Sequence, residues 1–258
     1  CRPEICIVDY ADAEAVTEAA DGCDGIVHLI GILKETRSAR YLDAHEAASS
    51  ALARAAESVG ARRIVYMSIL GSNPEAGNAC LASKGRAERI LIDCRVPVTV
   101  LRVPMVLGPG EIAAFALQSS VRAPFAVLVR GGATLEQPID AEDVTMAIES
   151  ALADPTSDDA VLDLAGPESL THRELVCRAA KLIGKKPRFL PIPMAAASLF
   201  ARLAERFSDD PPLTPAMLGV LEQDDRIDPS PACERLGLTL TPLDETLRRC
   251  LEEDGTAS

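Results

Sequence analysis

Gly25-Ile26-Val27-His28-Leu29-Ile30-Gly31, Arg63-Ile64-Val65-Tyr66-Met67-Ser68 and Val98-Thr99-Val100-Leu101-Arg102 are three short, almost unbroken apolar runs. Helical periodicity fills the stretches between them. From about Asp43, residues Ala44, Ala47, Ala48, Ala51, Leu52, Ala55 and Val59 follow i, i+3, i+4, i+7 spacing, and Gly60 stops the helix. That face is mostly alanine, which suits close packing on a sheet. Asp12 to Ala20 reads as a shorter helix stopped near Gly22, and Ala82 to Cys94 as another with Ile90 and Leu91 turned inward. Near-continuous apolar strands alternating with helices imply an α/β fold with a doubly wound parallel sheet, covered on both faces. Ile5-Cys6-Ile7-Val8 reads as a further strand of the same kind.

Beyond residue 110 the pattern is mixed. Phe125–Val129 and Ala160–Leu164 read as strands. Asp140, with Asp143 three residues on, is a good N-terminal arrangement for a helix. Thr171-His172-Arg173-Glu174 is a capping box for a helix ending at Gly184, and Thr214-Pro215 sets a capping residue before a proline at the first helical position. The reading divides the chain into an α/β domain, 1–164, and a small, mostly helical C-terminal subdomain, 165–258, with interleaving of the two left open.

Composition narrows the classes of function. The chain has 258 residues, 48% hydrophobic and 25% charged, which supports one large core or a main domain with an appendage and excludes wholesale disorder. A net charge of −13 and a pI near 4.7 repel phosphate backbones and argue against nucleic acid as the main partner. Local basic pockets for a dinucleotide stay compatible with that balance. Aromatic content of 3% without Trp gives no stacking surface for single strands. Apolar runs such as 25–33 fall far short of the roughly 20 residues a transmembrane helix needs. Cysteines at 1, 6, 23, 80, 94, 177, 233 and 250 form no CxxC pair and no zinc spacing, so most read as small buried hydrophobes of a reducing, cytoplasmic compartment. Cys1-Arg2-Pro3 carries neither an initiator Met nor a signal-peptide pattern, and reads as the middle of a longer gene product.

Several ordered segments resemble the extended or atypical short-chain dehydrogenase/reductases, a superfamily that includes NAD-dependent epimerases and dehydratases. They are Val8-Asp9-Tyr10-Ala11-Asp12, Val27-His28-Leu29-Ile30-Gly31, Ile64-Val65-Tyr66-Met67-Ser68 and Ala82-Ser83-Lys84-Gly85-Arg86-Ala87-Glu88. Leu101-Arg102-Val103-Pro104-Met105-Val106-Leu107-Gly108-Pro109-Gly110, Ile139-Asp140-Ala141-Glu142-Asp143-Val144 and the Leu236-Gly237 and Thr241-Pro242-Leu243 ending complete the series. The resemblance covers nearly the whole chain. It is nearest the branch holding the nucleotide-binding accessory subunit of respiratory complex I and its bacterial relatives. It implies a Rossmann-type fold, NADP or NAD as cofactor, and a protein partner or respiratory complex. It also implies cofactor contacts from Asp9 at the adenine, from Leu29, Ile30 and Gly31 at a strand end, and from Ser68, Lys84 and Pro104. Arg2 resembles the basic residue that pairs the 2′-phosphate in NADP-preferring members.

Three departures from the family pattern decide the functional expectation. No Gly-x-x-Gly-x-x-Gly turn occurs, although those glycines let a backbone approach the pyrophosphate at a helix N-terminus. The first strand and that loop are thus missing, and the gap is expected either to lie upstream or to be closed by pairing Ile5–Val8 with Ile26–Ile30. Lys84 matches the Lys of the family's Tyr-x-x-x-Lys, but the Tyr position is Cys80. A thiol is shorter by a ring and bonds hydrogen weakly, so the geometry of proton transfer fails. The catalytic Ser/Thr position is Leu70, and Ser68 matches a structural serine at the strand end.

Each residue also has a plainer reading. Lys84 is a ribose ligand or a solvated helix lysine. Asp9 is an adenine contact or a residue favoured near a helix start. Arg2 is a phosphate ligand or part of a frayed terminus. Cys80, one turn from Lys84, is a thiolate lowered by the ammonium or an inert small residue. His28 reads as a satisfied core histidine, and none of His28, His45 and His172 has a recognisable Ser or Cys partner motif. Asp209-Asp210 and Asp224-Asp225 read as solvated loops. The helix 194–207 is apolar around much of its circumference, which suits core packing, a partner or a membrane surface. The leading expectation is a dinucleotide-binding protein with a degenerate catalytic site and a structural or regulatory role. The alternatives are an active NAD(P)H-dependent oxidoreductase or epimerase with another acid, and a cofactor-free interaction module.

Overall fold

A computed structural model describes residues 4–252. In chain order the elements are α1 (Ala13–Ala19), β1 (Gly25–His28), a π-helical turn (Leu42–Ala47) running into α2 (Ala48–Val59), β2 (Arg63–Ile69), α3 (Ala79–Ile92) and β3 (Val98–Val103). Then follow β4 (Val106–Leu107), α4 (Ile112–Arg122), β5 (Ala126–Val129), β6 (Leu135–Glu136), β7 (Ile139–Asp140), α5 (Ala141–Ala153) and β8 (Ala160–Asp163). The last are β9 (Leu170–Thr171), α6 (His172–Leu182), β10 (Phe189–Ile192), α7 (Met194–Phe207), α8 (Pro215–Leu221), α9 (Ser230–Leu236) and α10 (Leu243–Glu252). The central sheet is four-stranded in the order β1-β2-β3-β8, with β1 and β2 parallel from Gly25 opposite Arg63 to His28 opposite Tyr66.

Contacts divide the chain into two compact units: 4–102 with 151–162 and 208–211, and 103–150 with 163–207 and 212–252. Segments of the two units alternate along the chain, the interleaving that the sequence reading left open. In the first unit Ile64 and Tyr66 of β2 and Val98 and Val100 of β3 share one face, and α2 and α3 cover it with Leu52, Ala53, Ala56, Ala87 and Leu91. The small residues of α2 let it lie close to the strands, as its alanine stripe predicts. Gly60, in the left-handed conformation at φ 69°, ends α2. In the second unit, α4, α6 and α10 close around Leu117, Val121, Leu175, Ala179, Leu243 and Leu247.

Local signals are found where the sequence puts them. Thr171 and Glu174 form the reciprocal capping box, and Thr214 Oγ1 accepts from Met217 N at 3.1 Å. Others are corrected. Ile5–Val8 is not a strand: it is irregular and exposed, Ile7 at 96%, and it does not pair with Ile26–Ile30. An apolar run becomes a strand only where neighbours take up its N–H and C=O groups, and along β1 the ladder found is the one to β2. β1 stops at His28, so Leu29–Gly31 leave the sheet as irregular chain. α3 starts at Ala79, not Ala82, because Asn78 Oδ1 accepts from Cys80 N at 2.9 Å and caps it there.

The structure adds partners to several polar groups. Asp140 caps α5 as the sequence suggests, accepting from Glu142 N at 2.9 Å, and Asp143 lies in its first turn. Asp143 is buried and accepts from Thr241 N at 2.8 Å and Thr241 Oγ1 at 2.7 Å. Asp209 and Asp210 are ion-paired to Arg37 and Lys34, each at 2.7 Å. Asp224 accepts from Leu135 N at 2.8 Å, and burial lifts the carboxyl of half-buried Asp225 to about 6. Of the cysteines, Cys80 and Cys250 are buried, whereas Cys6, Cys23 and Cys177 are exposed.

One glycine sets how close α3 comes to the loop before it. A Cβ on Gly85 would lie 2.3 Å from the Asn73 carbonyl carbon and 2.4 Å from Pro74 N. Helix propensity favours alanine over glycine, so the close approach reverses the ordinary preference. Gly85→Ala is expected to lower stability by about 2 kcal/mol or more in denaturant titration. Gly77→Ala, where a Cβ meets nothing within 4 Å, is expected to be near neutral. A stabilising Gly85→Ala would contradict the packing described.

Candidate functional site

In a parallel sheet, ligands sit beyond the carboxyl ends of the strands, where loops are free to diverge. Near the ends of β1 and β2 lie several buried polar side chains, among them His28, His45, Ser49, Ser68 and Lys84. Lys84 reaches this place from the first half of α3. Its side chain is buried, its Nζ donates to Met67 O at 3.0 Å, and it lies 4.7 Å from the centre of the Tyr66 ring. The chain leaving β1 passes directly over it. A Cβ on Gly31 would come within 2.7 Å of Lys84 Nζ and 3.6 Å of His45 Nε2. Burial lowers the Lys84 ammonium to about 8, although Cys80 and Glu88 pull it the other way.

Two histidines flank this ammonium. His28, the last residue of β1, has Nε2 3.1 Å from Ser49 Oγ, and its ring stacks on Tyr66 with centroids 4.9 Å apart. His45, in the π-helical turn, has Nε2 3.1 Å from both the N and the O of Ile32, and stacks on Tyr41 at 5.4 Å. Burial, then the nearby charge of Lys84, lowers His28 to about 3 and His45 to about 4. Both rings are therefore neutral at ordinary pH. Each keeps a buried Nδ1 without a hydrogen-bond partner, so His28 is only half satisfied by the core. His45 did not stand out as a site residue. The available signal was the interruption of the alanine face by His45 and Ser49, four residues apart and so on one side of a helix.

The other expected site residues divide clearly. Cys80 is fully buried, its Sγ donates to Ile32 O at 3.6 Å, and burial raises the thiol. That is the inert reading of Cys80, not an activated thiolate. Leu70 is buried as well. Ser68 Oγ donates to Glu88 Oε1 at 2.5 Å and lies 3.1 Å from Ser72 Oγ, and Glu88 holds Arg102 in a two-point pair at 2.9 and 2.5 Å. The Ser68 hydroxyl is thus committed to structure, as its position at the strand end suggested. Leu29 is exposed at 63% and Ile30 is half-buried, one on each side of the chain leading to Gly31.

Asp9 is exposed and uses Oδ1 to accept from Ala11 N at 3.0 Å, while Asp12 is the true cap of α1. Pro104 is half-buried, just after β3, and belongs to the second unit. Arg2 lies outside the described residues. His172 forms a separate pair in the second unit, Nδ1 to Glu136 Oε1 at 2.8 Å. Among the described residues no cluster of His, Cys, Asp or Glu has the arrangement of a metal site. No helix of the described residues is long and apolar enough to cross a membrane.

Comparison with known proteins places this geometry. A family model described as NAD(P)H-binding matches residues 1–155. The chain is similar to the Arabidopsis thaliana mitochondrial NADH dehydrogenase [ubiquinone] 1 alpha subcomplex subunit 9, at 28% identity over 75% of this chain and 49% of that protein. It is also similar to a ceramide reductase of Caulobacter vibrioides, at 24% identity over 74% of this chain and 60% of that protein. It therefore spans about half to three-fifths of these relatives. Among solved structures, a UDP-N-acetylglucosamine 4-epimerase from Bacillus cereus superposes with a TM-score of 0.73, at 15% identity over 99% of this chain and 85% of that one. That likeness fixes the fold as Rossmann-type.

The two neutral histidines make stability depend on acid. An unfolded chain takes up a proton at each near pH 6.5, whereas the folded chain resists until about 4 and 3. More protons bound by the unfolded state means stability that falls as pH falls. Denaturant titrations between pH 6.5 and about 4 are expected to lose up to about 1.4 kcal/mol per pH unit for each histidine. In a His28→Gln, His45→Gln double variant this slope is expected to be shallower. An unchanged slope would show that the rings are not held neutral.

Proposed function

The chain belongs to the NAD(P)H-binding family, and from that premise we propose that it holds a nicotinamide dinucleotide beyond the ends of β1 and β2 without turnover by the tyrosine route. The observation that carries this reading is the Lys84 ammonium, buried at the strand ends beneath Gly31 while the two catalytic partners beside it are lost. An ammonium has three donors, and one goes to Met67 O. The other two suit the hydroxyls of a ribose. Gly31 supports the same fit, since a side chain there would strike Lys84 Nζ. The half of the site that would cradle the pyrophosphate has no Gly-x-x-Gly-x-x-Gly counterpart in this sequence.

When bound, the dinucleotide would supply a hydride. The residues of this chain would hold and orient it. Lys84 would hold the ribose, Leu29 and Ile30 would offer apolar contact at the end of β1, and Tyr66 would support the ammonium from beneath. What is missing is a proton donor at the tyrosine position. Cys80 is turned to a backbone carbonyl with its thiol raised by burial, and Leu70 carries no hydrogen-bonding group. Pro104, Asp9 and Arg2 remain proposed contacts in the same scheme, as does the division into a dinucleotide-binding part, 1–164, and a partner part, 165–258. The likeness to a mitochondrial NADH dehydrogenase subunit supports a structural or regulatory role beside a respiratory complex.

Isothermal calorimetry with NADH and NADPH tests the reading. Lys84→Met keeps the buried stem and removes the charge, and is expected to weaken binding about tenfold or more, the worth of a hydrogen bond to a charged group. Binding is also expected to weaken as pH rises past about 8, where the free ammonium loses its proton, and Lys84→Met is expected to abolish that dependence. Absence of binding by either dinucleotide would move the function to protein contacts. Robust hydride transfer lost in Lys84→Met would overturn the non-catalytic part.

A further inference from the structure

The acidic chain concentrates positive charge in one stretch of its sequence. Between Lys181 and Arg206 there are six basic residues, Lys181, Lys185, Lys186, Arg188, Arg202 and Arg206, against a single acid, Glu205. The rest of the sequence, with 20 Lys or Arg against 38 Asp or Glu, is strongly negative. This stretch also contains α7, whose apolar side chains are turned outward. Leu199, Phe200, Leu203 and Phe207 are exposed at 59, 55, 48 and 81%, while the residues of α7 that face the protein are the small Ala197 and Ala201. At 100° per residue the four large side chains occupy one arc of about 100°, and Arg206 and Arg202 border it on one side. The preceding strand adds to the pattern. Leu190 of β10 is paired in register with Val127 of β5, and both are about half exposed.

We propose that α7 is a membrane-surface helix that lays Leu199, Phe200, Leu203 and Phe207 into the interface of an anionic bilayer. Arg202 and Arg206 reach the lipid phosphates from its flank. A cationic border on an apolar arc is the arrangement of helices that lie in the interfacial plane, because long basic side chains bury their stems and keep the charge among headgroups. The local excess of positive charge in a chain of net charge −13 selects an anionic surface. A second copy of the chain is the poorer occupant. A two-fold interface through this face would set the same basic residues against one another. The two acids that follow α7, Asp209 and Asp210, are paired to Arg37 and Lys34. This proposal stands apart from dinucleotide binding and needs no cofactor.

Co-sedimentation with vesicles of phosphatidylcholine mixed with phosphatidylglycerol, against phosphatidylcholine alone, is the direct test. The protein is expected to bind the mixed vesicles and to be released by salt. Arg202→Gln with Arg206→Gln is expected to weaken binding by about tenfold or more. Leu203→Ser with Phe207→Ser is expected to weaken it at least about tenfold, and both pairs are exposed, so the fold and dinucleotide affinity are expected to be kept. No vesicle binding, equal binding to both vesicle types, or binding unmoved by either variant would overturn the proposal. Concentration-dependent self-association abolished by Leu203→Ser with Phe207→Ser, without vesicle binding, would assign the face to a second copy and overturn it as well.

Discussion

A buried ammonium organises the candidate site. Removing Lys84 from water is costly, and the structure offsets that cost with the Met67 carbonyl, the face of Tyr66 and the carboxylate of Glu88 nearby. The consequences spread outward. His28 and His45 are kept neutral partly by that charge, and Gly31 is the residue that fits above it. Gly85, next to Lys84 in sequence, brings α3 against the loop at Asn73 and Pro74. The same helix turn thus carries the charge and the close packing that holds it in place.

The sequence resemblance pairs such a lysine with a tyrosine and a serine or threonine, and at those positions this chain has Cys80 and Leu70. A thiol fully enclosed at position 80 and a leucine at position 70 fill the space with packing groups. On the proposed reading the ammonium holds a ligand rather than tuning a neighbouring acid.

The sequence made legible what short-range rules determine. The alanine face of α2 with Gly60 behind it, the Thr171–Glu174 box and the Thr214 cap each depend on a few neighbouring residues, and each is found in place. What was misread or missed depends on distant partners. Ile5–Val8 has strand composition but no neighbour to complete a ladder. Asp140 caps α5 as read, but the bond of Asp143 to Thr241, 98 residues away, carried no sequence signal. Asp209 and Asp210 are solvated as read, and only their pairing with Arg37 and Lys34 needed the fold. Lys84, Cys80 and Leu70 were singled out by their places in the family pattern. His45 was not, because its role follows from a strand end and a helix turn meeting in space.

The central claim is that a buried, ligand-facing ammonium sits at the strand ends. Nuclear magnetic resonance of protein carrying ε-labelled lysine follows that group directly, with Lys84 identified by its absence in Lys84→Met. The account predicts a lysine that titrates near 8 in the free protein and moves upward when NADH or NADPH is added. A Lys84 signal that titrates in the ordinary lysine range and ignores both dinucleotides would contradict it.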